Sequence, residues 1–219
     1  MPLPARSLEK GQIFMGELIL ILGGARSGKS AEAVRLARER GNGPVLYVAT
    51  AEPGDDEMRL RIEKHQAERP ATWHTLEASY NIGQAIGRQS DGYTTIIVDC
   101  ITLLVSNILV DKPDPYHEAV QDSVVQEIAA IVQAAEELPS ACQLIIVSNE
   151  VGTGLAPLTP LGRAFRDLVG QANQTLAAAA AKAILMVAGV ALILKSEEPE
   201  CQSAARIDTG ASAAKVRDD

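Results

Sequence analysis

Leu18-Ile19-Leu20-Ile21-Leu22-Gly23-Gly24-Ala25-Arg26-Ser27-Gly28-Lys29-Ser30 is the stretch that decides the fold. An apolar run stops at two glycines, and a helix-forming segment, AEAVRLARER, follows. The joint reads G-x-x-x-x-G-K-S, running from Gly23 through Gly24, Ala25, Arg26 and Ser27 to Gly28, Lys29 and Ser30. Glycines let the backbone curl so that successive N–H groups point inward at phosphate oxygens. Lys29 then reaches the β- and γ-phosphates, and the Ser30 hydroxyl takes a place on Mg²⁺. The helix that starts there adds the positive end of its dipole. A chance match in a Gly-rich turn is the competing reading, and the strand before and helix after the loop argue against it.

Outward from the loop, apolar strands alternate with helices. Strands are expected at 45–50, 72–77, 94–99, 144–148 and 183–194, the last bent or split at Gly189. Helices are expected at about 56–68, 82–89, 103–109, 117–138 and 161–181. Such alternation gives a mostly parallel sheet with helices on both faces. Ligands in such sheets sit beyond the carboxyl ends of the strands. The loop, Thr50, Asp99 and Asn149-Glu150 should therefore meet on one edge. Residues 1–16 read as an N-terminal arm, 17–195 as one domain and 196–219 as a disordered tail, polar and without pattern.

Composition narrows the function. A chain of 219 residues, 47% hydrophobic, can bury one sizeable core. The net charge of -8 and an aromatic content of 3% give nucleic acid neither attraction nor stacking surfaces. The three cysteines, Cys100, Cys142 and Cys201, show no metal spacing and suit a reducing cytosol. Cys100 and Cys142 read as small core residues. No signal peptide is evident, and the apolar stretch 176–194 is read as a helix end followed by a buried strand, because Lys182 interrupts it.

Two residues outside the loop carry chemical interest. Asp99 ends an apolar strand, where a carboxylate can hold Mg²⁺ or cap the helix that follows. His65 shares a helical stripe with Arg61 and Arg69, four residues away on each side. Like charge disfavours the imidazolium cation, and neutral imidazole is a nucleophile toward phosphorus. The arginines would hold the attacked phosphate. Spacing alone favours the plainer reading, a packed or surface histidine. His74 in a short strand and His117 at a helix start read as structural.

GGARSGKS, VLYVATAE, DDEMRLRIEKHQAERPATWHTLE, NEVGTG and LGRAFRDLVGQANQTLA together resemble the bifunctional adenosylcobinamide kinase / adenosylcobinamide-phosphate guanylyltransferase family, over about 18–195. The most specific string is R-I-x-x-H-x-x-x-R-P, Arg61 to Pro70, after D-x-E-M. The resemblance implies a P-loop NTPase of the RecA-like three-layer kind. It implies phosphorylation of adenosylcobinamide by ATP or GTP. It then implies transfer of GMP from GTP to adenosylcobinamide phosphate through a guanylylated histidine, which would be His65. It further implies that Thr50, Ala51, Glu52, Gln66, Ala67, Glu68, Arg69, Glu77 and Asp99 lie near the nucleotide, with Mg²⁺ on Ser30 and Asp99. A homo-oligomer, commonly a trimer, without nucleic-acid partner or membrane span, is implied as well. Arg163, Arg166, Asp167 and Asn173 read as a second polar layer or as structural residues. The family more often has glutamate at Asp99 and S-G-I-P where this chain has Ala188-Gly189-Val190-Ala191, a change expected to touch no catalytic group. A kinase acting alone and a nucleotide-binding module without turnover are the competing functions, and the fold itself does not choose between them.

Overall fold

The computed structural model describes residues 17–196 other than 42, 53, 55, 68 and 111. The expected arm, nearly all of the expected tail, Glu68 and the side chain of Arg61 lie outside the described residues. The chain order is β1 Glu17–Gly23, α1 Lys29–Glu39, β2 Val45–Ala49, α2 Asp56–Ala67, β3 His74–Glu77, α3 Ile82–Gln89, β4 Thr95–Asp99, α4 Ile101–Val110, α5 Glu118–Glu137, β5 Gln143–Val147, α6 Pro160–Ala179, β6 Lys182–Val187 and β7 Val190–Ser196.

The strands form one sheet in the order β3-β2-β4-β5-β1-β6-β7. All neighbours are parallel except β6 and β7. Period-two alternation divides each strand between two cores. Leu18, Leu20, Val48, Ile96, Val98 and Ile146 face α3, α4, α5 and α6. Ile19, Ile21, Tyr47, Ile97, Ile145 and Met186 face the other way, where α1 contributes Ala33 and Ala37. The two layers are therefore unequal. One side carries four helices, and the side that holds the phosphate loop carries α1 and little else in its core.

Local signals set the ends of the elements. His117 caps α5, its Nδ1 accepting from the Ala119 N–H at 3.2 Å. Thr159 caps α6 ahead of Pro160, its side chain accepting from the Gly162 N–H. His74 pairs with the Tyr93 hydroxyl at 2.5 Å, so both histidines are structural, as expected. Cys100 and Cys142 are free and buried. Among the described residues no helix is long and apolar enough to cross a membrane.

The last expected strand is split at Gly189, as expected, but only its first half is buried. The run 183–194 is two strands, split at Ala188 and Gly189, which turn with φ of 50° and 82°. Positive φ at both central residues of a two-residue loop folds the chain straight back into a hairpin. β7 consequently lies on the sheet edge, with Val190, Leu192, Ile193 and Leu194 each about half exposed or more, rather than buried. Hydrophobic content alone was the basis for expecting burial, and it does not say which strand has a neighbour on only one side. Ser196, expected in the tail, also belongs to β7.

Candidate active site

β1 ends where Gly23 turns with φ 151°, and a Cβ there would lie 2.5 Å from the Met186 carbonyl oxygen. Gly28 adopts φ 98° immediately before α1, and no side chain caps that helix. Its first N–H groups therefore face the loop without a side-chain partner, the arrangement that receives phosphate. Lys29 is buried and donates from Nζ to the Gly24 carbonyl at 2.6 Å. Burial pushes its ammonium pKa down, with Cys100 and Asp99 partly offsetting the effect. The Ser27 hydroxyl is buried with no hydrogen-bond partner in the protein, a donor aimed into the same curl.

The turn between β6 and β7 supports this loop from the side. The Gly189 N–H donates to the Ser27 carbonyl at 3.0 Å, and the Gly189 Cα lies 3.5 Å from where a Cβ on Gly28 would stand. The residue in contact is Gly189, which the family's S-G-I-P pattern shares, so the contact is not made by a departure from that pattern. The φ of 82° at Gly189 is one that glycine adopts freely.

Asp99 meets the loop from the end of β4, paired with Ala49 on β2 and Val147 on β5. Its Oδ2 accepts from the Ser30 hydroxyl at 2.8 Å and from the Tyr47 hydroxyl at 2.5 Å. The carboxylate is therefore turned onto the phosphate loop. Ser30 and Asp99 offer adjacent oxygen donors, and among the described residues no group of three or more His, Cys, Asp or Glu side chains could hold a metal. Such a pair fits Mg²⁺, which binds through one or two protein oxygens and completes its shell with phosphate and water.

Beside Ser30 opens a cleft of about 500 Å³, lined also by Arg35, Arg38, Tyr47, His65 and Arg69. His65 stands exposed on the last turn of α2. The helix ends at Ala67, so Arg69 does not lie on a helical stripe with His65 as its spacing suggests. It reaches the cleft from the loop before Pro70, its guanidinium carbon 3.6 Å from the centre of the Tyr47 ring. Tyr47 was missed from sequence. The only signal for it is one polar-tipped aromatic in the otherwise aliphatic strand Val45–Ala49.

The remaining expected residues divide. Thr50 is fully buried, donating to the Cys100 carbonyl at 2.8 Å and accepting from the Cys100 N–H at 2.7 Å, so its side chain fastens β2 to the start of α4. Gln66 and Glu77 bind each other at 3.3 Å on the exposed side of the site. Ala51 is half-buried after β2, and Glu52 and Ala67 are exposed. Asn149 donates to Thr102 at 2.9 Å and accepts at its carbonyl from Asn173 at 3.0 Å, while the Glu150 N–H donates to Gly23 at 3.0 Å. The expected meeting at the carboxyl edge of the sheet is thus present. Arg163 braces the Pro157 and Leu158 carbonyls, and Arg166 pairs with Asp167 at 3.5 Å. Burial and the charge of Asp99 push the Cys100 thiol up to about 11.

Comparison with known proteins agrees with this geometry. A family model described as cobinamide kinase / cobinamide phosphate guanyltransferase matches residues 19–194. The bifunctional adenosylcobalamin biosynthesis protein CobU of Escherichia coli K12 is 37% identical over 184 residues, covering 81% of this chain and 99% of its own. CobU of Salmonella typhimurium LT2 is 38% identical over 185 residues, covering 81% and 99%. The bifunctional protein CobP of Pseudomonas aeruginosa PAO1 is 40% identical over 179 residues, covering 81% and 97%. A solved structure from Pyrococcus horikoshii OT3 shares the fold, with a TM-score of 0.51 at 11% identity, over 86% of this chain and 90% of that one. A phosphate loop met by an acid from β4, a histidine and an arginine sharing its cleft, and a family match across nearly all of the described residues lead to one assignment: the chain belongs to the cobinamide kinase / cobinamide phosphate guanyltransferase family.

Proposed function

We propose that this enzyme phosphorylates the hydroxyl of adenosylcobinamide with ATP or GTP and then transfers GMP from GTP to the resulting phosphate. The observation that carries the second step is the single cleft lined by Ser30 of the phosphate loop, His65 and Arg69. In that step an imidazole nitrogen of His65 attacks the α-phosphorus of GTP. The bond from that phosphorus to the bridging oxygen breaks, and pyrophosphate leaves. An oxygen of adenosylcobinamide phosphate then attacks the same phosphorus, and the histidine departs, giving adenosylcobinamide-GDP. Lys29 and the N–H groups of 24–29 neutralise the β- and γ-phosphates, and Arg69 neutralises charge at the reacting phosphate. Ser30 and Asp99 would hold Mg²⁺, which supplies charge neutralisation at the phosphate oxygens. Holding the reactants in place, more than covalent activation, supplies most of the rate.

Two further readings accompany this one. The exposed apolar edge of β7 supports a homo-oligomer, and the family resemblance implies a trimer. The buried free thiols of Cys100 and Cys142 support a reducing, cytoplasmic setting. The deciding experiment is labelling with GTP radioactive at the α-phosphate, with Mg²⁺, on wild type and His65→Ala. Acid-labile, alkali-stable label on wild type alone supports the guanylyl-histidine. No label on either protein despite GTP binding leaves a kinase or a binding module. Label on both puts the nucleophile elsewhere.

A further inference from the structure

We propose that Tyr47 is a positioning residue that joins the cation-holding half of the site to the histidine-bearing half. Its ring is almost fully buried in β2, at the floor of the cleft. Its two ends do different things. The hydroxyl donates to Asp99 Oδ2 at 2.5 Å, the same oxygen that Ser30 reaches at 2.8 Å. Two hydroxyl donors on one carboxylate oxygen fix the carboxylate's rotation, so its direction is set before any cation arrives. The ring face carries the Arg69 guanidinium at 3.6 Å, in a stretch that has already left α2 and has no helix to hold it. A guanidinium seated on a buried aromatic is ordered and stays charged.

Register explains why one side chain can serve both halves. Tyr47 pairs with Ile97 on β4, two residues before Asp99, and with Thr75 on β3, whose hydroxyl accepts from Arg69 at 3.4 Å. On β2 the residue stands between β4, which carries the acid, and β3, which anchors the arginine.

The two ends separate by substitution. Tyr47→Phe keeps the ring and removes the hydroxyl, and Tyr47→Leu removes both. The first readout is affinity for Mn²⁺, measured by electron paramagnetic resonance on the complex with a non-hydrolysable GTP analogue. Losing a hydrogen bond to a charged group is expected to weaken Mn²⁺ binding about tenfold in both variants. The second readout is affinity for the analogue at saturating Mn²⁺. Tyr47→Phe should match wild type, and Tyr47→Leu should bind several-fold more weakly because Arg69 has lost its seat. Arg69→Gln should reproduce the second loss without the first, which keeps the ring's part testable if Tyr47→Leu does not fold. Wild-type Mn²⁺ affinity in Tyr47→Phe overturns the hydroxyl's role, and equal analogue affinity in wild type and Arg69→Gln overturns the ring's. The cation part is independent of His65. The ring part uses only nucleotide affinity, so failure of the labelling experiment above would remove the guanylyl-histidine and leave this proposal to its own readouts.

Discussion

Replacing Gly23 by alanine would set a methyl carbon 2.5 Å from the Met186 carbonyl oxygen and 2.6 Å from the Ser27 hydroxyl. The hydroxyl can rotate away. The carbonyl cannot, because Met186 is the β6 partner of Gly23 in the parallel ladder. Relief therefore requires β1 and β6 to part at the end that begins the phosphate loop. The backbone conformation, φ 151°, adds strain of about 1–3 kcal/mol for a residue with a side chain. Overpacking adds about 1–3 kcal/mol. The sum, about 2–6 kcal/mol, is a large share of the ~5–15 kcal/mol that holds a typical domain together. Gly24 is the internal control, since a Cβ there meets nothing within 4 Å. Gly24→Ala should stay within about 0.5 kcal/mol of wild type. Urea unfolding followed by circular dichroism measures both. Equal midpoints for the two variants, or a Gly23→Ala midpoint at the wild-type value, would refute the reasoning from close approach.

Thr50→Val keeps the shape and leaves the Cys100 N–H without its acceptor, while the Cys100 carbonyl keeps the Leu104 N–H at 3.2 Å, so unfolding should show a loss of about 1–3 kcal/mol. Lys29 has its pKa lowered below 10.5 by burial. In the window between that lowered value and 10.5 the unfolded chain binds more protons, so this group's contribution to stability rises with pH there and is a cost below it. Bound phosphate reverses the shift, so nucleotide affinity should fall as pH rises through the lowered value, with proton uptake on binding seen by calorimetry in buffers of different ionisation enthalpy. None of the described side chains of α2 is buried, whereas α4 and α5 each bury six residues. Amide hydrogen exchange should accordingly be much faster along α2 than along α4 or α5, and equal protection would contradict the packing.

What was legible from sequence follows the range of the physics involved. The strand, loop and helix around Gly23–Ser30 are readable because the motif fixes backbone geometry locally. Asp99 is readable because an acid at the end of an apolar strand has one place to go in a parallel sheet. Tyr47 is not, since its two contacts depend on β3 and β4 both lying beside β2, and strand order is written nowhere in the strand itself. The main-chain clip made by Thr50 is not readable until the start of α4 is in place. Arg69 arrives at the cleft by a route that helical spacing does not describe, because the helix has ended. The apolar run 183–194 carries no mark of which half stays wet.

The Gly189-to-Ser27 hydrogen bond also has a consequence in time. β1 lies between β5 and β6, pairing Glu17–Ile21 with Gln143–Val147 and Ile19–Gly23 with Lys182–Met186. The first strand of the sheet thus waits for two of the last three. Pairings of such long sequence separation form slowly, after the intervening chain has closed its loops. On the ribosome the motif emerges early, yet it has no flanking strand until β5 emerges and lacks the second until β6 follows. A nascent chain ending before Gly189 holds every residue of the nucleotide loop and lacks the brace on its side, so synthesis must run almost to the end of the domain before the first functional element made becomes competent.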